Sequence, residues 1–174
     1  MTARLPALLL ACLLLLAGCS TGERRPGPPA PAPQASGYFV GRTPGGLGVA
    51  VDLAGFDPTA QAVSTALLDY PRPVALAIVS MVNDGDRDVP APELVARTRS
   101  GRLVPLVDVR VLLARLPEAS AQAARKRLQP APGVLAAGTS SLRYLGAVDV
   151  AVPDVDGIRM VASDAVMDLQ ERRR

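Results

Sequence analysis

Two spacings of apolar residues alternate along the chain from residue 38 onward. Continuous or period-two runs rich in branched apolar residues predict β-strands, and these runs lie at residues 47–53, 74–82, 94–99, 103–106, 142–152 and 158–162. Apolar residues at helical spacing predict short helices in segments 58–70, 109–116 and 118–128. Because strands outnumber helices, the pattern predicts a mainly β domain with helical insertions.

The run at residues 74–82 is almost entirely apolar. Such a run predicts a strand that is buried on both faces, and its nine residues are too few to span a membrane. The next strand should direct Leu94, Ala96 and Thr98 inward. Its hairpin partner at 103–106 contains Pro105, which has no backbone N–H to donate and therefore predicts an edge strand.

Proline and aspartate mark the ends of the predicted helices. Asp57 precedes Pro58, which is the pattern of an N-cap followed by proline at the first helical position, and Pro71 ends that segment. Asp108 is the predicted N-cap of the next helix, which ends at Pro117. Segment 108–128 is thus expected to form a helical flap against the sheet.

The last third of the chain returns to period two. One face of the predicted strand carries Leu142, Tyr144, Val148, Val150 and Val152. Residues 158–162 repeat the pattern after an Asp-Gly turn, so the two runs are expected to form a hairpin. A short helix is expected from Asp164, with Arg172–Arg174 at its end.

The N-terminal segment has a different character. Arg4 precedes an apolar stretch that is too short to span a bilayer and ends in Leu16-Ala17-Gly18-Cys19. This motif resembles the lipobox of bacterial lipoproteins. The resemblance implies that residues 1–18 are a signal peptide, and that Cys19 becomes residue one of the mature chain and carries acyl groups such as palmitate. Two or more acyl chains hold a protein durably at a membrane, whereas one chain does not.

Residues 19–37 then predict a tether. Five of the eighteen residues from Ser20 to Gly37 are proline, and none is an apolar residue larger than alanine. Such a segment favours polyproline II at about 3.1 Å per residue, which gives a reach of up to roughly 50 Å. Residues 38–174 follow as a single extracytoplasmic domain.

Composition excludes several kinds of chemistry. The chain has no histidine, so histidine-dependent nucleophilic catalysis and imidazole metal ligation are ruled out. Its two cysteines are Cys12, which would leave with the signal peptide, and Cys19, so the mature domain would have no disulfide. Loss of Arg4 would lower the net charge from +3 to +2, which is too balanced to indicate a nucleic-acid partner.

Three arginines form the main candidate site of the domain. Arg97, Arg99 and Arg102 surround the Ser100-Gly101 turn. Guanidinium groups suit phosphate or carboxylate, so these residues predict a patch for an anionic envelope polymer or an acidic protein. The same charges also fit an edge that discourages strand-to-strand aggregation.

Other motifs predict turns rather than sites. Asp84, Asp86 and Asp88 alternate, but the glycine of that segment is misplaced for a calcium loop, and a solvated turn is the better interpretation, as it is for Asp154 and Asp156. Residues 41–48 have phosphate-loop glycines without the lysine, so they predict a tight turn. The sequence therefore predicts no metal and no cofactor.

The order of strands at 74–106 and 142–162 resembles the immunoglobulin-like sandwiches of bacterial lipoproteins, and a sheet with helices on one face is the alternative. The resemblance implies a binding or scaffolding role without catalysis. The expected function is a lipid-anchored interaction or structural module of the cell envelope, on the outer side of the cell membrane or at the outer membrane. The alternative is a binding protein for a small hydrophobic or lipidic ligand under segment 109–128. A carboxylate-dependent glycoside hydrolase is a distant third, because aromatic residues are few.

Overall fold

The computed structural model describes residues 37–53 and 55–172. In chain order, its strands are β1 (Tyr38–Arg42), β2 (Leu47–Asp52), β3 (Val74–Asn83), β4 (Val89–Pro90), β5 (Glu93–Thr98), β6 (Leu103–Pro105), β7 (Val107–Asp108), β8 (Val134–Leu135), β9 (Ser140–Val148), β10 (Val155–Val161), β11 (Val166–Asp168) and β12 (Gln170–Glu171). The helices are α1 (Pro58–Leu67), α2 (Val109–Leu113), α3 (Glu118–Arg127) and a 3₁₀ turn at Val152–Asp154. The expectation of a mainly β fold with helical insertions is confirmed.

The strands form three antiparallel sheets. The largest has the order β12-β1-β2-β3-β9-β7, and the second has the order β11-β10-β5-β6. A two-stranded ribbon pairs β4 with β8. The long strand β3 lies between β2 and β9, as expected of the central strand, and β6 is an edge strand, as Pro105 predicted.

Two apolar clusters cover opposite faces of the six-stranded sheet. The first combines its buried side chains, such as Ala75 and Val79, with Ala96 and Ile158 of the four-stranded sheet. The second combines residues of the three helices with partly buried residues of β3 and β9, including Val74. The large sheet is therefore one half of a β-sandwich and also carries the helices on its outer face. The expected sheet with helices on one face therefore occurs, and its other face packs against the smaller sheet.

The helix α1 begins and packs as the sequence predicted. The Asp57 carboxylate accepts hydrogen bonds from the backbone N–H groups of Thr59 and Ala60 at 2.7 and 2.8 Å, which satisfies donors that the first helical turn leaves free. The predicted apolar positions are all buried; they are Ala60, Val63, Ala66 and Leu67.

Helices α2 and α3 also match their predictions. Asp108 caps α2 by accepting from the Arg110 backbone N–H at 2.9 Å. The buried face of α2 lies close to β9 at Gly146, where an added Cβ would be 2.8 Å from both Leu112 Cδ1 and Val74 Cγ1. The missing side chain of Gly146 therefore makes room for the helix on the sheet.

The expectation that both faces of β3 are buried is wrong for the second half of the strand. Val74 and Leu76 pack against the helices, whereas Ser80 and Val82 are exposed. The reason is that the helical layer covers only the first half of β3. A continuous apolar run does not reveal how far a covering layer extends.

The expected hairpin of the two late strands is also wrong. β9 pairs with β3 and β7, whereas β10 pairs with β5 and β11 in the other sheet. Between them, Asp149 has a φ of 63°, which interrupts the alternation. Val150 consequently lies in the inter-sheet cluster together with the partly buried Val152, and not on the face of Tyr144.

Two further differences concern the ends of the domain. The segment after Asp164 forms β11 and β12 instead of the expected short helix, because these residues pair with β10 and β1. The strand β1 was not predicted, since its five residues lie beside a glycine-rich turn. That turn occurs as expected, and Gly46 has a φ of 89°.

Candidate functional site

The predicted arginine patch divides into two environments. Arg97 donates from Nε to Asp156 at 3.0 Å and from Nη1 to Asp168 at 3.5 Å. Arg159 donates to the same Asp168 at 2.8 Å. The hydrogen bond from Arg159, helped by the charges of Arg159 and Arg97, lowers the pKa of Asp168. Arg97 thus belongs to a ladder of alternating charges on the four-stranded sheet.

Arg99 and Arg102 instead line an open cavity of about 230 Å³ beside the Ser100-Gly101 turn. The Arg102 guanidinium donates to the backbone carbonyl of Asp149, and the Arg99 backbone N–H donates to the Asp154 carbonyl at 2.9 Å. Asp149 and Asp154 also line this cavity, and the Asp149 carboxylate forms an ion pair with Arg72 at 2.9 Å.

The aspartates of the predicted turns have ordinary structural partners. Asp84 forms an ion pair with Arg42, and the Asp88 carboxylate accepts from the Ala137 backbone N–H at 3.0 Å. Across residues 37–53 and 55–172, acidic and cysteine side chains form no group of three that could hold a metal ion. Cys19 lies outside the described residues.

A second cavity, of about 270 Å³, was not predicted. It lies beside the part of β9 that precedes the pairing of this strand with β7, and segments 127–131 and 108–110 border it. Its charged side chains are Arg110, Arg127, Arg143 and Asp108. The apolar and uncharged lining includes Leu128, Ala131, Leu142 and Tyr144.

Asp108 and Arg110 form a close ion pair at the rim of this cavity. Arg110 Nε lies 3.0 and 3.2 Å from the two carboxylate oxygens, and Nη2 lies 2.6 Å from Oδ2. Burial by itself would raise the pKa of Asp108, but the side-chain and backbone hydrogen bonds from Arg110 and the nearby positive charges outweigh it and lower this pKa. The hydrogen bond with Asp108 raises the pKa of Arg110. The carboxylate therefore stays ionised and is neutralised by its neighbour.

Arg143 is the least satisfied cation of the cavity. Its Nη2 donates to the Pro132 carbonyl, while its Nε is shielded from solvent and lacks a hydrogen-bond partner within the described part of the chain. Burial lowers the pKa of Arg143, and the Asp108 charge counteracts this effect. An arginine remains protonated at neutral pH in such a setting, so Arg143 is a partly dehydrated positive charge.

Tyr144 lines the cavity and is bonded to the start of α1. Its hydroxyl donates to Asp57 Oδ2 at 3.0 Å. Burial is the main cause that raises the pKa of Tyr144, and the hydrogen bond to the Asp57 carboxylate acts in the same direction. The phenol therefore stays neutral up to alkaline pH and serves as a hydrogen-bond donor to the helix cap.

One residue of the sequence, Arg143, could have indicated this cavity. Arg143 interrupts an otherwise apolar strand of the core, and a charge at such a position needs a compensating environment. The other charged groups come from segments that are far apart in sequence. Only the pairing of β9 with β7 and the packing of α3 bring them together.

The chain was compared with known protein families, curated proteins and solved structures. No protein-family model matches it, no curated protein matches it significantly, and no solved structure matches it significantly. Within the described residues, no helix combines the length and apolar character needed to cross a membrane.

Proposed function

We propose that this chain is a lipid-anchored interaction or structural module of the bacterial cell envelope, without catalytic activity of its own. The observation that carries the proposal is the order of an apolar leader, the lipobox-like Leu16-Ala17-Gly18-Cys19, a proline-rich segment and a β-rich body. The module would be held through Cys19 on the extracytoplasmic side of the cell membrane or at the outer membrane.

The physical roles of the three parts follow from their chemistry. Acyl chains on Cys19 would supply membrane affinity, which rises by about 0.8 kcal/mol for each buried CH₂ group. The segment up to residue 37 would act as a semi-rigid spacer. The body would then meet partners at a distance from the lipid surface, with the membrane lipid, an envelope protein or an envelope polymer as its contacts.

The ionised groups of the body support a non-catalytic role. The pKa values of Asp108 and Asp168 are both lowered, and both carboxylates accept hydrogen bonds from arginine. A general acid needs a carboxyl group whose pKa is raised toward neutrality. These two groups therefore fit ion pairs that organise the surface.

Acyl labelling of cysteine variants tests this proposal. Cells that express the full chain are fed a labelled fatty acid, and incorporation is compared for Cys19→Ala and the matched control Cys12→Ala. The control should carry the label as wild type does, and Cys19→Ala should carry none and keep its leader. Label on Cys19→Ala, or none on wild type, would refute the anchor.

A second candidate, binding of a small hydrophobic or lipidic ligand beside segment 109–128, is favoured by the cavity of about 270 Å³ at the two ends of that segment. The underside of the segment is filled by Val109, Leu112 and Leu113, which are fully buried, so a ligand would sit at this rim. Native mass spectrometry of protein purified from membranes should show a bound small molecule that Leu142→Glu removes. Unliganded wild-type protein would count against this candidate.

A further inference from the structure

We propose that the cavity beside β9 is a binding site for a phosphate monoester with a short apolar group. This inference rests on the binding role proposed above, but it does not depend on acylation of Cys19. The residues that would hold the ligand are Arg127 and Arg143 on the polar side, and Leu128 and Leu142 on the apolar side.

The charge of the cavity is the first argument. Three arginines line it against one aspartate. The Asp108 carboxylate is occupied by Arg110 through contacts of 2.6, 3.0 and 3.2 Å. Neither Arg127 nor Arg143 has a hydrogen-bonded carboxylate partner among the described residues. The cavity therefore presents two guanidinium groups without an ion-pair partner of their own, and their positive charge attracts an anion.

The environment of Arg143 is the second argument. This guanidinium is partly dehydrated, and its buried Nε has no acceptor within the described part of the chain. Leaving a charge in that state is unfavourable, and the approach of an anion to its remaining N–H groups would offset the lost hydration. Arg127, in the last turn of α3, also lines the cavity and adds a second guanidinium group.

The geometry favours phosphate over carboxylate. Arg127 lies at the end of α3 and Arg143 lies in β9, so an anion that bonds to both meets two separate sets of N–H donors. A carboxylate has two coplanar oxygens, whereas a phosphate monoester has three terminal oxygens arranged around phosphorus. Leu142, which is 52% exposed, and Leu128 leave apolar surface beside the charges. A volume of about 270 Å³ limits that apolar part to a short chain.

The experiment is a calorimetric titration of the full chain in detergent micelles. The probes are butyl phosphate, inorganic phosphate and micelles of the same detergent that contain phosphatidic acid. Butyl phosphate should bind at least about fivefold more tightly than inorganic phosphate, because it also covers apolar surface. Arg127→Gln and Arg143→Gln should each weaken the binding of butyl phosphate about tenfold, as expected for loss of a charge-assisted hydrogen bond.

Lys126→Gln is the matched control, since Lys126 is the exposed neighbour of Arg127 on α3 and does not line the cavity. It should leave the affinity within about twofold. Arg127 is also exposed, so Arg127→Gln tests the site even if Arg143→Gln fails to fold. Equal losses in Lys126→Gln and Arg127→Gln would show diffuse charge attraction and overturn the site.

The probes distinguish two kinds of ligand that carry the same phosphate group, a lipid headgroup and a soluble ester. Binding of micellar phosphatidic acid that requires Arg127 would assign the site to lipid headgroups, and binding of butyl phosphate alone would assign it to soluble esters. Equal affinity for inorganic phosphate and butyl phosphate would refute the apolar part, and no heat with any probe would refute the whole inference. Because these measurements do not involve Cys19, their failure is distinct from failure of the acyl-labelling experiment.

Discussion

Tyr144 in β9 donates its hydroxyl hydrogen to Asp57, the N-cap of α1, across 3.0 Å and 87 positions of sequence. The other oxygen of the same carboxylate caps the helix. One aspartate therefore caps the start of α1 and also links this helix to strand β9 of the large sheet. The attachment of the helical layer depends on this bond in addition to its apolar contacts.

Removal of that bond should cost stability without changing the fold. Tyr144→Phe deletes a hydrogen bond to an ionised, partly buried carboxylate, which corresponds to about 1–2 kcal/mol in the free energy of unfolding. Urea denaturation measures this change. Tyr70→Phe is the control, because the Tyr70 hydroxyl meets only Arg115 at 3.5 Å in an exposed contact. Equal losses of unfolding free energy in Tyr144→Phe and Tyr70→Phe would contradict a stabilising hydrogen bond between Tyr144 and Asp57.

Asp108→Asn should change the pH dependence of stability. The pKa of Asp108 is lower in the folded protein than its ordinary value of 3.8. The unfolded chain therefore binds the proton more readily, and the contribution of this group is present above pH 3.8 and is lost as pH falls through the folded pKa. Asparagine still caps α2 but cannot pair with Arg110.

At neutral pH, Asp108→Asn should lower the free energy of unfolding by about 0.5–1 kcal/mol, the range for a pair that retains contact with solvent. The difference in the free energy of unfolding between Asp108→Asn and wild type should disappear at acid pH, because Asp108 itself becomes protonated there. Urea titrations at several pH values measure it. A gap that stayed constant down to pH 2 would mean that the ion pair contributes nothing.

Gly146→Ala should destabilise the contact between α2 and the sheet. The new Cβ would meet Leu112 Cδ1 and Val74 Cγ1 at 2.8 Å, and both atoms belong to packed side chains. Overpacking of this kind costs about 1–3 kcal/mol. Gly133→Ala is the control, since nothing lies within 4 Å of its added Cβ. Thermal melts of the pair should differ by several degrees, and coincident melts would disprove the close approach.

Asn83→Ala should be among the more damaging single changes to the sheet. The side chain is completely buried, and its amide donates to the carbonyls of Arg87 and Leu135 at 2.8 and 3.0 Å. Its oxygen accepts from the Gly85 N–H at 3.1 Å. Loss of these partners leaves buried polar groups unpaired, at a cost of about 1–3 kcal/mol.

Gln122→Ala, which removes an exposed amide on α3, should change the stability measured in urea by less than about 0.5 kcal/mol. A similarly small effect of Asn83→Ala would show that the turn after β3 is held by its backbone alone.

The elements that the sequence predicted share a local cause. The helix α1 follows from Asp57, Pro58 and four apolar positions within ten residues, all of which act within one or two turns. Likewise, alternation alone identifies the inward residues of β5. Prediction failed where distant segments decide the outcome. The strands β7, β8 and β12 have two residues each and exist only because a partner lies beside them.

The difference between local and distant contacts also explains which site residues could be predicted from the sequence. Arg97, Arg99 and Arg102 are close in sequence and were recognised as a group, although Arg97 is engaged by Asp156 and Asp168. The second cavity is assembled from β9, the start of α2 and the end of α3. No local pattern places Arg127 beside Arg143. Only the sheet order and the helix packing do so.

The outer strands of both large sheets are short in the described part of the chain. β7 and β12 have two residues each, and β6 and β11 have three. Outer strands of this length offer a neighbouring molecule few backbone groups of their own along which to extend a ladder. We therefore expect that many copies can lie close together without polymerising through their sheet edges. Each copy would then remain a separate molecule.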